Sequence, residues 1–540
     1  MKLAKPSIHR LDFKGTAQIF ELLFVVGALA FALIIRFVNL RTIPDWFQDE
    51  GEFIRLAEHL SRGNFDFVGI RGSMLIIGRP PLFFWIIAGL FKLFGTDIVV
   101  LRGFTAVCGV LAAGISYIIS RQTLNKTAAK YTVLLMAILP EYIFYNRLGY
   151  TYNLFAVLIL LFIFAVWKYI ENKEQKWLIM ACLTSGLAIA CDYLGLVTVV
   201  ILALVILLRK PADLWKLIII APLPLIFVML PGIIHAPNET WQDLRAVISW
   251  GDGIAQNFWA NLLTIISAYG FLIQRQPWIV LGFIGMLTLP NHRLRNLLFV
   301  MTCGLFLPPA LGRAVAAHYL LPIWPIIFIC LGSLFDSGVK HMFEISLNAF
   351  SNVKPLEQQM TLGRYTISLS TIFARLTVFS LIISPFVWMI LLDSGFFTWK
   401  SVEQANIMPI TFFVEGYVPA EDAQAVSEVI SMDLESEDFV IAPGTIYWML
   451  TSRVADIRLV ALYEAGGKIV NMPEIDPARF TTAMYLRSAK YAVVDNTWRL
   501  WWAEDYAEIE NLLQQVSQWP AIMERGSLEL FCNPIYCNNR

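Results

Sequence analysis

The sequence predicts a polytopic α-helical membrane protein with a small α/β domain at its C-terminal end. Hydrophobic residues make up 57% of the 540 positions and charged residues only 15%, whereas about a quarter of a soluble domain is charged. The mean hydropathy is +0.63. Apolar stretches near the length of a bilayer span recur up to residue 392, and after about residue 393 they give way to mixed sequence.

Roughly eleven of these stretches approach the ~20 residues that a transmembrane helix needs. They lie near 17–38, 98–120, 131–146, 152–167, 176–192, 194–208, 215–233, 277–290, 296–311, 317–335 and 367–392. The first is expected to be an uncleaved anchor, because its apolar run continues to Val38 and is too long for a signal peptide. We therefore predict a transmembrane domain over 1–392 and an α/β domain over 393–540.

The distribution of basic residues predicts the orientation of the spans. Lys and Arg side chains fill alternate loops, which the positive-inside rule assigns to the cytoplasm. The opposite face then receives the loop 39–97, a turn at 147–151 and the C-terminal domain. The cytoplasmic set is Lys2, Lys5, Arg10, Lys14, Arg121, Lys126, Lys130, Lys168, Lys173, Lys176, Arg209, Lys210, Lys216, Arg293 and Arg295.

Charge, cysteine and motif content exclude several function classes. The formal net charge is zero and no basic block is present, so no nucleic-acid partner is expected. No D-x-D, Walker A or G-x-G-x-x-G motif is present, so no nucleotide site is expected. Five of the seven cysteines lie in apolar runs, as small hydrophobic residues do. Cys532 and Cys537 lie in the polar tail, and the sequence is compatible both with a disulfide between them and with two free thiols.

The pair Asp49-Glu50 follows the first span, at the start of the predicted outer loop. Carboxylates placed against a membrane are costly to desolvate, which indicates a site, and they can accept a proton from a hydroxyl group. An amphipathic helix is predicted next, ending at Gly63. Its apolar residues are Phe53, Leu56, Ala57 and Leu60. A structural alternative makes Asp49 the N-cap of this helix and Glu52 its capping-box partner.

Other ionisable residues stand singly at predicted outer span ends. Each one alone is typical of an interfacial anchor, but together they indicate a polar cavity that opens outward. They are Arg79, Arg102, Arg147, Asp192, Arg313 and His318. Arg79 precedes Pro80-Pro81, which begin an apolar helix. Its positive charge is therefore expected at the positive end of the helix dipole, where a cation is unfavourable. Beside helix-end N–H groups it can bind either a substrate phosphate or an ordinary lipid headgroup.

The order of these motifs resembles that of the GT-C glycosyltransferases, within them the group of protein O-mannosyltransferases and aminoarabinose transferases. The resemblance covers about 15–335 and includes Asp49-Glu50, the segment Arg79-Pro80-Pro81-Leu82-Phe83, Arg102 and the late segment 319–325. It implies a polyprenyl-phosphate sugar donor, a lipid, protein or glycan acceptor with a hydroxyl group, and inversion at the anomeric carbon. It also implies contact with membrane lipids, a bacterial inner or plasma membrane, and an extracytoplasmic active site.

The resemblance also implies roles for individual residues. Asp49 corresponds to the catalytic carboxylate and Glu50 to its neighbour. Donor phosphate binding would fall to Arg79, Arg147, Arg313 and His318, and Arg102, Asp192 and Tyr319 are further candidates. Two positions that are often acidic in the group are Gly78 and the pair Tyr152-Asn153 here. A divalent metal is therefore not supported, and no cofactor is predicted.

The C-terminal part alternates strand-like and helix-like segments, which favours a small α/β sheet. Strands are predicted at 438–442, 457–462, 491–495 and 526–532, and helices at 421–432, 478–489 and 501–518.

Two other functions fit the transmembrane part. A transporter or flippase of a lipid-linked or small polar substrate also places ionisable groups in a cavity, although no internal repeat is visible here. A catalytically inactive scaffold of the same fold is the second alternative.

Overall fold

The computed structural model describes most of the chain. The described residues are 13–63, 80–235, 237–238, 240–241, 278–311, 317–351, 359–362, 365–368, 371–372, 376, 416–469, 472, 475 and 483–537. The predicted domain boundary at 393 lies outside these ranges, as do the predicted phosphate ligands Arg79 and Arg313. His318 lies in a described helical turn, Ala317–Leu320, but its side chain is not among those described.

The described residues of the N-terminal part form helices and the two-residue strand β1. In chain order the elements are α1 (Phe13–Phe37), β1 (Trp46–Phe47), α2 (Gln48–Ser61), α3 (Leu82–Phe94), α4 (Ile98–Thr123), α5 (Lys126–Ile138), α6 (Pro140–Asn146), α7 (Tyr152–Asn172), α8 (Gln175–Cys191), α9 (Leu196–Arg209), α10 (Leu214–Ile220), α11 (Pro222–His235), α12 (Trp278–Leu287), α13 (His292–Leu311) and α14 (Trp324–Ser351). A short hairpin, β2 (Gln359–Leu362) and β3 (Tyr365–Ser368), follows.

Five helical segments of the described chain are long and apolar enough to cross a bilayer. They are Gln18–Phe37, Ile98–Thr123, Tyr152–Asn172, Pro211–His235 and Trp324–Leu347. In the 18-residue apolar window of each segment, 78% is buried within Tyr152–Asn172 and 22% within Gln18–Phe37, so α7 forms the centre of the bundle and α1 its periphery. The exposed apolar side chains of α1 are suited to lipid. This helical membrane architecture agrees with the predicted fold class, and the number of about eleven spans stays a prediction.

The region 416–537, called here the C-terminal sheet region, contains a five-stranded mixed sheet of order β6-β5-β7-β9-β8. Its elements are β4 (Tyr417–Val418), α15 (Ala420–Ser431), β5 (Phe439–Ile441), α16 (Gly444–Tyr447), β6 (Arg453–Ala455), α17 (Ile457–Glu464), β7 (Ala489–Val494), α18 (Ala503–Asp505), α19 (Ala507–Val516), β8 (Ala521–Arg525), β9 (Leu528–Cys532) and α20 (Pro534–Cys537). Strands β6, β5 and β7 run parallel, and β9 pairs antiparallel with β7 and β8. Cys532 and Cys537 form a disulfide.

The predicted strand at 457–462 is wrong, because these residues form helix α17. The strand ends at Ala455, and the Asp456 side chain then caps the helix by accepting a hydrogen bond from the Arg458 backbone N–H at 2.9 Å. All six residues are buried, and a short, fully buried apolar run has the same appearance in a strand and in a helix.

Helix α2 joins the bundle to the C-terminal sheet region. On one side Phe53 packs its ring 5.3 Å from that of Phe84 in α3. On the other side β1 pairs antiparallel with β4, opposing Phe47 to Tyr417. Gly51 lies so close to α16 that a Cβ atom there would be 1.6 Å from the Gly444 carbonyl oxygen. The start of α2 is therefore enclosed between the two parts of the protein.

We expect Gly51→Ala to destabilise the protein by about 1–3 kcal/mol, because the added methyl group would collide with backbone that cannot move aside. Gly89→Ala in α3 is the matched control, since a Cβ atom there meets nothing within 4 Å. Thermal unfolding of the purified full-length protein measures both. Equal melting temperatures for the two variants would contradict the close approach of α2 to α16.

Candidate functional site

The first turn of α2 carries the predicted catalytic pair. Phe47, in extended conformation, is the N-cap, and its backbone N–H donates to Glu50 Oε2 at 3.3 Å. The alternative in which Asp49 caps the helix with Glu52 as partner is wrong, because pairing of β1 with β4 starts the helix earlier, at Gln48. Asp49 and Glu50 thus lie in the first turn, where the helix dipole favours negative charge.

Glu50 forms a buried ion pair with Arg102 at the start of α4. The guanidinium Nε lies 2.8 Å from Glu50 Oε1 and an NH2 nitrogen 2.6 Å from Oε2, and both side chains are fully buried. The Gly149 backbone N–H also donates to Oε1, at 2.8 Å. The remaining Arg102 donors reach the carbonyl oxygens of Leu40, Pro44 and Asp45. Glu50 therefore ties the turn of α2 to α4 and to the turn before α7.

Arg147 is also buried, and its guanidinium contacts backbone carbonyl oxygens. It donates to Ile35 O at 2.7 Å, and to Ile43 O at 3.0 Å through Nε. A further bond reaches Val38 O. These carbonyl groups lie at and just beyond the C-terminal end of α1, where a cation complements the helix dipole. The structure thus places Arg147 at the C-terminal end of α1.

Asp49 is half-buried and lies near two phenol groups. Tyr417 of β4 makes a side-chain hydrogen bond with Tyr150, which lies in the turn before α7. Burial raises the pKa of Tyr150 well above its ordinary value, and Tyr417 and Asp49 add to that effect. Burial likewise raises the pKa of Tyr417. Both phenols therefore keep their protons beside the Asp49 carboxylate.

Two further predicted residues lie at the same end of the bundle. Asp192 follows α8, where its side chain accepts from the Leu194 backbone N–H at 2.9 Å. The preceding residue, Cys191, has its thiol 3.8 Å from the Thr151 carbonyl oxygen. Tyr319 is half-buried, and its ring stands edge-on to that of Tyr152 at 5.2 Å. The described members of the predicted outer set thus surround the turn before α7, beside the start of α2.

A different polar cavity, of about 660 Å³, lies at the opposite end of the bundle. Thr123 and Leu124, at the C-terminal end of α4, line this cavity, whereas Arg102 lies near the N-terminal end of the same helix. Its lining contains the ion pairs Arg293–Glu171 (3.1 Å) and Lys340–Asp336 (2.6 Å). In the part of the chain that the structure describes, no three His, Cys, Asp or Glu side chains form a group that could hold a metal ion.

Sequence reasoning missed Tyr150, Tyr417 and the partners of Glu50. Tyr150 lay in a predicted outer turn beside Arg147, so its position was an available signal. No local sequence signal marks Tyr417, because it comes close to Asp49 only when β4 of the C-terminal sheet region pairs with β1. The burial of Glu50 could have been anticipated only by pairing it with Arg102 across the loop 39–97.

Part of the chain matches a family model, and comparison with solved structures identifies the fold. Residues 78–241 match the family model described as dolichyl-phosphate-mannose-protein mannosyltransferase. The chain is also 25% identical over 202 residues to an uncharacterized protein of Aquifex aeolicus (strain VF5). That alignment covers 36% of this chain and 40% of the Aquifex protein, less than two thirds of it.

Similarity to solved structures extends over almost the whole chain. The crystal structure of ArnT from Cupriavidus metallidurans bound to undecaprenyl phosphate matches with a TM-score of 0.58 at 14% identity, covering 94% of this chain and 98% of ArnT. The apo structure of the same protein gives 0.57 at 15% identity, covering 96% and 98%. The predicted resemblance to the GT-C glycosyltransferases is confirmed, and the chain has their fold.

We expect Glu50→Gln to destabilise the protein by about 3–5 kcal/mol, because it leaves the Arg102 guanidinium buried without its counter-charge. Glu58→Gln on the same helix is the matched control. Its carboxylate pairs with Arg55 and with the exposed Arg62 on the same helix, so its loss leaves no fully buried charge unpaired and should cost only about 1 kcal/mol. Thermal unfolding in detergent compares the two, and a Glu50→Gln variant as stable as the control would contradict the structural role of this pair.

Proposed function

We propose that the protein is an inverting glycosyltransferase that moves a sugar from a polyprenyl-phosphate donor to a hydroxyl-bearing acceptor. The observation that carries the proposal is the placement of Asp49, a half-buried carboxylate in the first turn of a helix. Neighbouring residues of that turn are anchored by buried ion pairs, in a chain with the GT-C fold. The ArnT relative bound to undecaprenyl phosphate supports a lipid-phosphate donor.

The reaction needs a base and a stabilised leaving group. The acceptor oxygen forms a bond to the anomeric carbon on the face opposite the phosphate, while the bond from that carbon to the phosphate oxygen breaks. The acceptor proton passes to Asp49, and the lipid phosphate leaves with the bonding electrons. Charge builds up on the sugar as in an oxocarbenium ion. A positioned base contributes about 10²–10⁴ in rate.

Roles within the pair Asp49-Glu50 differ. Glu50 accepts hydrogen bonds on both carboxylate oxygens inside the protein, so we assign it to positioning and Asp49 to proton transfer. Arg147 contacts backbone carbonyl groups at the end of α1, so we assign it to holding α1. Phosphate binding then falls to Arg79, with Arg313 and His318 as further candidates. One preorganised contact of this kind is worth roughly 3 kcal/mol in the transition state.

Two observations support an extracytoplasmic site. The ion pairs Arg121–Glu21, Lys126–Glu21 and Arg293–Glu171 involve cations that the positive-inside rule assigns to the cytoplasm. The Cys532–Cys537 disulfide lies in the C-terminal sheet region, which docks on α2 beside Asp49, and disulfides persist in oxidising compartments. The acceptor, whether lipid, protein or glycan, would meet the donor on that face.

We expect Asp49→Asn to lower sugar transfer at least 10²-fold while the protein stays folded, because the amide cannot take a proton. The assay follows radiolabelled sugar from a panel of undecaprenyl-phosphate-linked sugars into a membrane lipid and glycan extract. Glu58→Gln, further along the same helix, should keep wild-type transfer. Transfer by Asp49→Asn within threefold of wild type would refute the general-base role.

For Arg79→Ala we predict weaker binding of undecaprenyl phosphate, by about tenfold or more, since one charge-assisted contact to the phosphate is lost. Arg62→Ala, an exposed arginine at the end of α2, serves as the control with the same change of charge. Binding is measured on the purified protein by displacement of a fluorescent polyprenyl phosphate. Indistinguishable affinities for the two variants would exclude Arg79 from the phosphate site.

A further inference from the structure

Four side chains form a closed hydrogen-bonded ring between α2 and the C-terminal sheet region. Gln48 Nε2 donates to Asp456 Oδ2 at 2.9 Å and to Glu52 Oε1 at 3.3 Å. Arg458 completes the ring, with an NH2 nitrogen 2.7 Å from Glu52 Oε1 and Nε 2.8 Å from Asp456 Oδ1. Two members come from the first turns of α2 and two from the junction of β6 with α17.

This ring is closed off from solvent. Glu52 and Asp456 are fully buried, and Gln48 and Arg458 are 2% and 4% exposed. The Arg458 guanidinium also lies 4.2 Å from the centre of the Trp502 ring, a cation–π contact. Burial opposes the charge on Arg458, but Asp456, Glu52 and Asp49 together raise its pKa. The guanidinium therefore remains charged and is the one cation of the ring.

Two members of the ring lie on either side of Asp49 in the sequence of α2. Gln48 and Glu52 are one turn apart on α2, and Asp49 lies between them. On the bundle side, Glu50 is held by Arg102 and by the Gly149 backbone N–H. At the start of the turn, β1 is hydrogen-bonded to β4, which brings Tyr417 beside Phe47 at 5.0 Å between ring centres. The backbone that carries Asp49 is thus fixed from both sides.

We propose that Arg458, with Asp456, is a positioning residue for Asp49, so that the C-terminal sheet region is a working part of the catalytic site. The proposal rests on the proposed transfer reaction and adds residues from the distant end of the sequence to it. Its physical basis is the steep dependence of rate on geometry, because a displacement of about 1 Å at a catalytic group can cost about 10²-fold. A buried charge pair holds such a turn more rigidly than solvated contacts do.

The test compares Arg458→Gln with Arg453→Gln in the full-length protein. Arg453 lies in β6, close to Asp456 in the chain, and pairs at the exposed surface with Glu437, so the control removes the same charge without touching the ring. Gln48→Leu is a milder second variant, since it removes two ring hydrogen bonds and leaves no unpaired charge. Each variant is measured for turnover with the undecaprenyl-phosphate sugar panel, undecaprenyl phosphate affinity, and hydrogen–deuterium exchange over 46–54.

We expect Arg458→Gln to lower kcat by about 10²-fold and Gln48→Leu by about tenfold, with faster exchange over 46–54 and undecaprenyl phosphate affinity within threefold of wild type. Arg453→Gln should match wild type in all three. Faster exchange with unchanged turnover would overturn the positioning role. A parallel loss of turnover and affinity would also overturn it, because that result indicates general misfolding. Unchanged exchange over 46–54 in Arg458→Gln would overturn it as well.

The two proposals fail differently. If Asp49→Asn transfers sugar normally, the proposed function fails, whereas the exchange comparison still shows whether Arg458 orders the turn. If Asp49→Asn is inactive and Arg458→Gln turns over normally, the general-base role stands and the positioning role is refuted. A combined Glu52→Gln/Arg458→Gln variant should lose no more turnover than Arg458→Gln alone, because both changes remove the same Glu52–Arg458 ion pair and the double variant leaves no Glu52 carboxylate without its counter-charge. Additive losses would contradict a shared ring.

Discussion

Two buried ion pairs hold the start of α2, and the arrangement of the candidate site depends on them. Glu50–Arg102 fastens the helix to the bundle, and Glu52–Arg458 fastens it to the C-terminal sheet region. Charges placed in a low-dielectric interior are costly to leave unpaired, so each pair specifies one geometry for the turn between them. Asp49 is the residue of that turn that stays half-exposed, and it takes its position from its neighbours.

The two ends of the helical bundle differ in chemistry. One end carries Asp49, the phenols of Tyr150 and Tyr417, and the C-terminal sheet region. The other end carries the ion pairs of Arg121, Lys126 and Arg293 and a polar cavity. A carboxylate that removes a proton is most effective where it is preorganised, and the first end supplies that rigidity.

Local sequence patterns predicted much of the fold and part of the site. Length and hydropathy identify the long apolar helices, and the apolar spacing predicts helix α2, although the structure starts this helix at Gln48, before Asp49-Glu50, and buries most of its first three turns. The run 457–462 was misread because complete burial removes the periodicity that separates a strand from a helix. Asp456, one residue earlier, is a capping residue, and it was the available signal that a helix begins there.

The partners of the site residues could not be predicted, since they are long-range contacts. Nothing in the local sequence links Glu52 to Arg458. The local sequence around Arg147 likewise does not distinguish an arginine that binds a phosphate from one that binds backbone carbonyl groups. The described charged residues at predicted span ends do lie together at one end of the bundle, around the turn before α7. Their individual roles depend on which carbonyl, carboxylate or phosphate each one meets after folding.

The most direct measurement is an experimental structure of the full-length protein in a lipid nanodisc with undecaprenyl phosphate. We expect phosphate density beside the first turn of α2, within reach of a sugar that contacts Asp49, with the Glu52–Arg458 pair intact. Phosphate density in the cavity lined by Asp336 and Arg293, at the far end of the bundle, would contradict it.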